Sequence, residues 1–119
     1  MKKLLLSFFI LSVILIMSSC TVTYYAWVTI DNVGDFTITV IVDDNPDSAV
    51  IIQPREQYTY EIQWEDSKTT SVYLYAYITN NPSYYDSETI YLEDGDEATW
   101  QVGWASAYNK TSKVLINKK

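Results

Sequence analysis

Histidine is absent from this 119-residue chain, and cysteine occurs once, at Cys20. Without imidazole there is no Ser-His-Asp arrangement and no histidine acid–base chemistry. Three glycines leave no glycine-rich loop to cradle a phosphate. Basic charge is also scarce: residues 20–109 hold only Arg55 and Lys68 against all fifteen acidic side chains, a net charge of −13. A phosphate backbone would repel such a body, which excludes nucleic acid as a partner. Carboxylates are plentiful, but Asp43, Asp44 and Asp47, and Glu93, Asp94, Asp96 and Glu97, cluster in expected turns where acids sit solvated. Neither cluster has the alternating ligand spacing and glycine of a calcium loop. Neither sets two carboxylates across a sugar cleft, as glycoside hydrolysis needs. The chain therefore reads as a non-enzyme, with no metal and no cofactor.

What is present at the N-terminus is a targeting pattern. Lys2 and Lys3 precede an uncharged run from Leu4 to Met17, and the small residues Ser18 and Ser19 lead to Cys20. A positive segment, a short apolar segment and a small-residue cut site are the parts of a secretory signal peptide. Fourteen residues reach about 21 Å as a helix, short of the roughly 30 Å of bilayer hydrocarbon, so a permanent transmembrane helix is not expected. A signal peptide cut elsewhere would leave Cys20 as an odd thiol in an oxidising compartment, which invites unwanted pairing.

The stretch Met17-Ser18-Ser19-Cys20 resembles the lipobox of bacterial lipoproteins, an apolar residue and two small ones before an obligatory cysteine. The resemblance implies that residues 1–19 are removed, that Cys20 is lipidated, and that the protein is held to a cell-envelope membrane by its acyl chains. A single acyl chain binds a membrane marginally and two or more bind it stably. Thr21 rather than aspartate follows the cysteine. In that family this implies the outer membrane, where the source has two membranes.

Residues 20–119 are then a single domain of a size usual for a small β-sandwich. Its net charge is −9, because Lys110, Lys113, Lys118 and Lys119 gather in the last ten residues. β-Branched and aromatic residues dominate with period two, and no helical period occurs after Cys20. Strands are expected at about 22–30, 35–42, 49–53, 56–64, 70–79, 87–92, 97–104 and 112–117. Asp31-Asn32-Val33-Gly34 and Asp94-Gly95 supply tight turns, while Pro46 and Pro54 mark breaks. The fold class is all-β, an antiparallel sandwich of about eight strands, with a small barrel as the alternative. The pattern resembles immunoglobulin-like sandwiches generically, although the paired cysteines around a tryptophan are missing, which leaves the strand order open.

Alternation also sorts the faces. Tyr24, Ala26, Val28 and Ile30 share one face, as do Phe36, Ile38, Val40 and Val42. Tyr58, Tyr60, Ile62 and Trp64, and Ala98, Trp100, Val102 and Trp104, do likewise, so Trp64, Trp100 and Trp104 are expected in the core. The strand at 70–79 is apolar on both faces. Val72, Leu74, Ala76 and Ile78 fill one, and Tyr73, Tyr75 and Tyr77 line the other. With the aliphatic face inward, three tyrosines stand in a row on the outside, with Tyr91 and Trp27 as further members of the platform. Tyr84 and Tyr85 fall in an expected loop at 80–86 and offer the same chemistry. Tyrosine combines a stacking ring with a hydroxyl at low entropy cost, which suits an interface. Equally, such rings can pair across strands and only stabilise the sheet. Two functions follow from these residues. One is a binding module for a protein or glycan, with Tyr73, Tyr75, Tyr77, Tyr84 and Tyr85 as contacts. The other is an accessory subunit of an envelope assembly, joined through a sheet edge.

Overall fold

A computed structural model describes residues 21–118. The expected signal segment and Cys20 lie outside the described residues. Among the described residues there is no helix, and eight strands run in chain order. These are β1 (Tyr24–Asn32), β2 (Ile38–Val42), β3 (Asn45–Ile52), β4 (Gln57–Trp64), β5 (Thr69–Ile78), β6 (Asn81–Glu93), β7 (Glu97–Trp104) and β8 (Lys110–Asn117). They form two four-stranded sheets, ordered β4-β1-β7-β8 and β3-β2-β5-β6. No ladder joins one sheet to the other, so the fold is an open sandwich and not a barrel. All pairings are antiparallel except β1 with β7, which is parallel.

The core lies between the inner faces and follows the alternation. Ala26, Val28 and Ile30 of β1 and Ala98, Trp100, Val102 and Trp104 of β7 supply one wall. Ile38, Val40 and Val42 of β2, Val72, Leu74, Ala76 and Ile78 of β5, and Ile90 and Leu92 of β6 supply the other. Trp100 is completely buried, and its indole Nε1 donates to Ser112 Oγ at 3.0 Å, so its one polar atom is satisfied.

Trp64 departs from the expected core set. It sits on β4, an edge strand with a neighbour on one side only, and is half-buried. Its ring stacks on Tyr24 at 5.8 Å, and its Nε1 donates to the Ser67 carbonyl at 2.8 Å. Tyr58 on the same strand is exposed for the same reason. Tyr60 reaches inward, donating its hydroxyl to the Ser48 carbonyl at 3.0 Å; burial, with Tyr58 beside it, pushes its pKa up to about 12.

Two expected turns turn out to be sheet crossings. Asp31 to Gly34 carries the chain from β1 in one sheet toward β2 in the other, and Asp94-Gly95 carries it from β6 to β7. At the first crossing Asn32 is buried. Its Nδ2 donates to the carbonyls of Phe36 and Ile52, and its Oδ1 accepts from Gly34 N–H. Gly34 also lies so close to Gly103 and Trp104 that a Cβ on it would run into their backbone. Pro46 does not break a strand. It lies inside β3, an edge strand that can spare its missing donor. The preceding turn is Asp43-Asp44, with φ of 51° and 55°, the left-handed pair that a two-residue hairpin requires.

Candidate functional site

The aliphatic side of β5 faces the core, which turns Tyr73, Tyr75 and Tyr77 to the outside of the β3-β2-β5-β6 sheet. Their neighbours follow from register. Tyr77 lies between Thr39 of β2 and Tyr85 of β6, Tyr75 between Ile41 and Ser87, and Tyr73 opposite Thr89. Tyr91 stands opposite Ser71 further down the same face. The result is a sheet surface of rings, hydroxyls and isoleucine along the Tyr75 and Tyr77 rows, with the Asp43 carboxylate beside Tyr73, on a strongly acidic body.

The rings do not form a flat row. Tyr75 is the centre of a cluster, 5.8 Å from Tyr77 with the planes tilted by 48°, and 5.7 Å from Tyr85 in a near-parallel stack. Each of the three β5 tyrosines is half-buried. Burial pushes the Tyr75 hydroxyl above the usual tyrosine range, and Tyr85, Tyr73 and Tyr77 add to the shift. Tyr85 and Tyr91 remain 58% and 72% exposed, and these are the rings most open to a partner.

Tyr84 and Tyr85 lie within β6, which begins at Asn81, and not in a loop. A strand sends successive side chains to opposite faces, and this separates the pair. Tyr85 joins the tyrosine cluster. Tyr84 instead stacks on Tyr108 at 4.3 Å, and Tyr108 stacks on Phe36 at 5.1 Å. This three-ring pile closes the end of the sandwich where β1 crosses to β2. Trp27 does not extend the tyrosine platform, because β1 belongs to the opposite sheet and Trp27 projects from that sheet's outer face.

The acidic turns have structural occupations. Asp43 Oδ1 accepts from Tyr73 N–H at 2.8 Å, and Asp94 Oδ1 accepts from Tyr25 N–H at 3.0 Å. Asp96 is buried, accepting from Glu93 N–H and from Lys118 Nζ, both at 2.8 Å. Burial alone would raise its pKa. The hydrogen bonds from Lys118 and Glu93 outweigh that, so the carboxyl titrates below the usual aspartate range. Asp96, expected to sit solvated with the other turn acids, is instead buried and paired with Lys118; nothing local ties a turn aspartate to a lysine 22 residues later.

No protein-family model matches the chain, and no curated protein matches it.

Proposed function

We propose that this chain is a lipid-anchored protein of the cell envelope, held through Cys20. The outer face of its β3-β2-β5-β6 sheet would bind a protein or glycan partner. The observation that carries the binding half is the face of Tyr75, Tyr77, Tyr85 and Tyr91 among serine and threonine hydroxyls. Amphipathic rings on a rigid strand give contact area with little loss of side-chain entropy. The Met17-Ser18-Ser19-Cys20 motif carries the anchoring half. The two halves agree in geometry. β1 enters the sheet at Tyr24, at the end where Trp64 and Asp94 lie, whereas Tyr77 and Tyr85 sit beside the opposite β5–β6 turn. An anchor at Cys20 would leave Tyr75, Tyr77 and Tyr85 on the half of the domain that faces away from the membrane, with Tyr91 toward the anchored end.

The accessory-subunit reading draws on β6, a 13-residue strand that pairs with β5 alone among the described residues. Against it, Asp86 on this strand points toward β8 and is engaged by Lys110 at 3.0 Å. Inward-pointing charge is a known guard against edge-to-edge pairing.

The anchor is tested by mass spectrometry of protein made in a lipoprotein-competent bacterium, beside Cys20→Ala. Acyl mass on the wild type and loss of membrane retention in the variant are expected; a membrane-bound variant with no acyl mass on the wild type overturns it. The face is tested with Tyr85→Ser and Tyr91→Ser in the lipidated protein. Melts should move by no more than about 4 °C, as for exposed positions, while cross-linking to envelope components falls. Unchanged cross-linking in both variants removes the face as the binding surface.

A further inference from the structure

The opposite sheet carries a second arrangement that the tyrosine face does not account for. Trp27 projects from the outer face of β1 and is 40% exposed. Its directly opposed neighbours on both sides are glutamates, Glu61 on β4 and Glu97 on β7. Both glutamates share the outer face of the sheet with the indole, Glu61 across an antiparallel ladder and Glu97 across a parallel one. Neither glutamate is engaged in an ion pair among the described residues, whereas nearby Lys118 is held by Asp96 and Glu93. Two hollows meet at Trp27 and Glu97. One, of about 390 Å3, is floored by Thr29, Thr59 and Thr99; the other, of about 230 Å3, is bounded by Gly95, Asn117 and Lys118.

We propose that Trp27, Glu61 and Glu97 form a seat for an arginine side chain of a partner protein. An indole face attracts a cation through its quadrupole, and tryptophan does so best among the aromatics. Two carboxylates with no ion pair among the described residues supply the charge complement, within a domain whose net charge of −9 draws cations toward it. The guanidinium group favours arginine over lysine, because it is planar, weakly hydrated, and able to stack and donate in the same plane. The threonine hydroxyls on the floor of the larger hollow, two of which already bond each other at 2.8 Å (Thr29 and Thr59), can accept its remaining protons. A neutral sugar would also stack on the indole. It would cover Glu61 and Glu97 without neutralising them, and that desolvation is unfavourable.

The test is an NMR titration of the full lipidated chain in detergent, following the Trp27 indole Nε1–H resonance, assigned by its loss in Trp27→Phe. The probe is a blocked tri-arginine peptide, with a neutral chito-oligosaccharide as the second ligand. Expected is a saturable shift with the peptide and none with the sugar. The Glu61→Gln/Glu97→Gln double variant should weaken the peptide about fivefold, the value of two exposed charge contacts. Both glutamates are exposed, so this variant is expected to fold, and its melt confirms that. Tyr85→Ser should leave the titration unchanged, which separates this seat from the tyrosine face. Three results overturn the proposal: no saturable shift, the same peptide affinity in the double variant, or sugar binding that the double variant leaves intact.

Discussion

Replacing Asn32 by alanine is the sharpest test of how the two sheets are tied together. The carboxamide is completely buried and makes three hydrogen bonds: Nδ2 to the Phe36 carbonyl at 2.9 Å and to the Ile52 carbonyl at 3.0 Å, and Oδ1 from Gly34 N–H at 3.1 Å. One side chain thus joins the end of β1, the crossing to β2 and the end of β3. Alanine leaves two carbonyls and one N–H without partners where water has little access. Each orphaned group costs about 1–3 kcal/mol, and the Phe36 carbonyl is only part-buried, so the total is about 3–5 kcal/mol. Against the 5–15 kcal/mol typical of a small domain, this is a large fraction. At about 4–8 °C per kcal/mol, the melting temperature falls by roughly 12–40 °C.

Urea unfolding followed by tryptophan fluorescence measures the change, since Trp100 and Trp104 are buried in the core. An unchanged slope would confirm that only stability moved. Asn32→Asp adds a sign. It keeps the shape but sets a carboxylate against two carbonyl oxygens, so it should be worse than alanine at neutral pH. Burial and those carbonyls would raise its folded pKa above the ordinary value of about 3.9. Its penalty is then fully present above the folded pKa and shrinks as pH falls through it, because the protonated form is neutral and regains one donor. If Asn32→Ala costs less than about 1 kcal/mol, water or a backbone shift satisfies these groups and the tie is not what holds the crossing.

Two further outcomes follow from the core and the C-terminal contact. Trp100→Ala should cost about 3–5 kcal/mol, the usual figure for emptying a buried tryptophan site, whereas half-buried Trp64 should cost about half as much; equal losses in urea titrations would contradict the edge placement of β4. The Asp96–Lys118 contact predicts a pH dependence at both ends. The folded pKa of Asp96 is lowered, so its stabilisation is present above the unfolded aspartate value and lost as pH falls through the lower folded one. The pKa of Lys118 is raised, chiefly by its hydrogen bond to Asp96, so its contribution is present below the unfolded lysine value and lost as pH rises through the folded one. Lys118→Ala should remove the alkaline decline and flatten the acid one, because the folded pKa of Asp96 rises once the lysine that lowers it is gone; this is read from melts across pH, and a variant whose profile overlays the wild type would refute the coupling.

Period-two alternation was enough to assign the strands and most of the core, because a strand with one wet side writes its burial directly into its residues. Ala98, Trp100, Val102 and Trp104 are buried as the pattern implies. What alternation does not carry is which sheet a strand joins. The same polar tight turn serves a hairpin at Asp43-Asp44 and a change of sheet at Asp31 to Gly34. That ambiguity explains why Trp27 falls outside the tyrosine platform and why Trp64, though packed against the core, is only partly buried. Trp64 shares the inner face of its strand, yet an edge strand covers it on one side only. Trp27 was grouped with the tyrosines although β1 lies in the other layer.

The site was legible to the same depth. One aliphatic face on β5 implied that Tyr73, Tyr75 and Tyr77 point outward, and they do. The adjacent pair Tyr84-Tyr85 looked like one loop tip, but Pro46 and Pro82 both lie within edge strands, where a missing N–H costs no ladder bond. The expected loop at 80–86 is instead the start of β6, which begins at Asn81. Once Tyr84 and Tyr85 are in a strand, their separation onto two faces is forced by the pleat. The flanking of Trp27 by Glu61 and Glu97 depends on a parallel neighbour 70 residues away, and only a register, never a pattern, brings three such residues side by side.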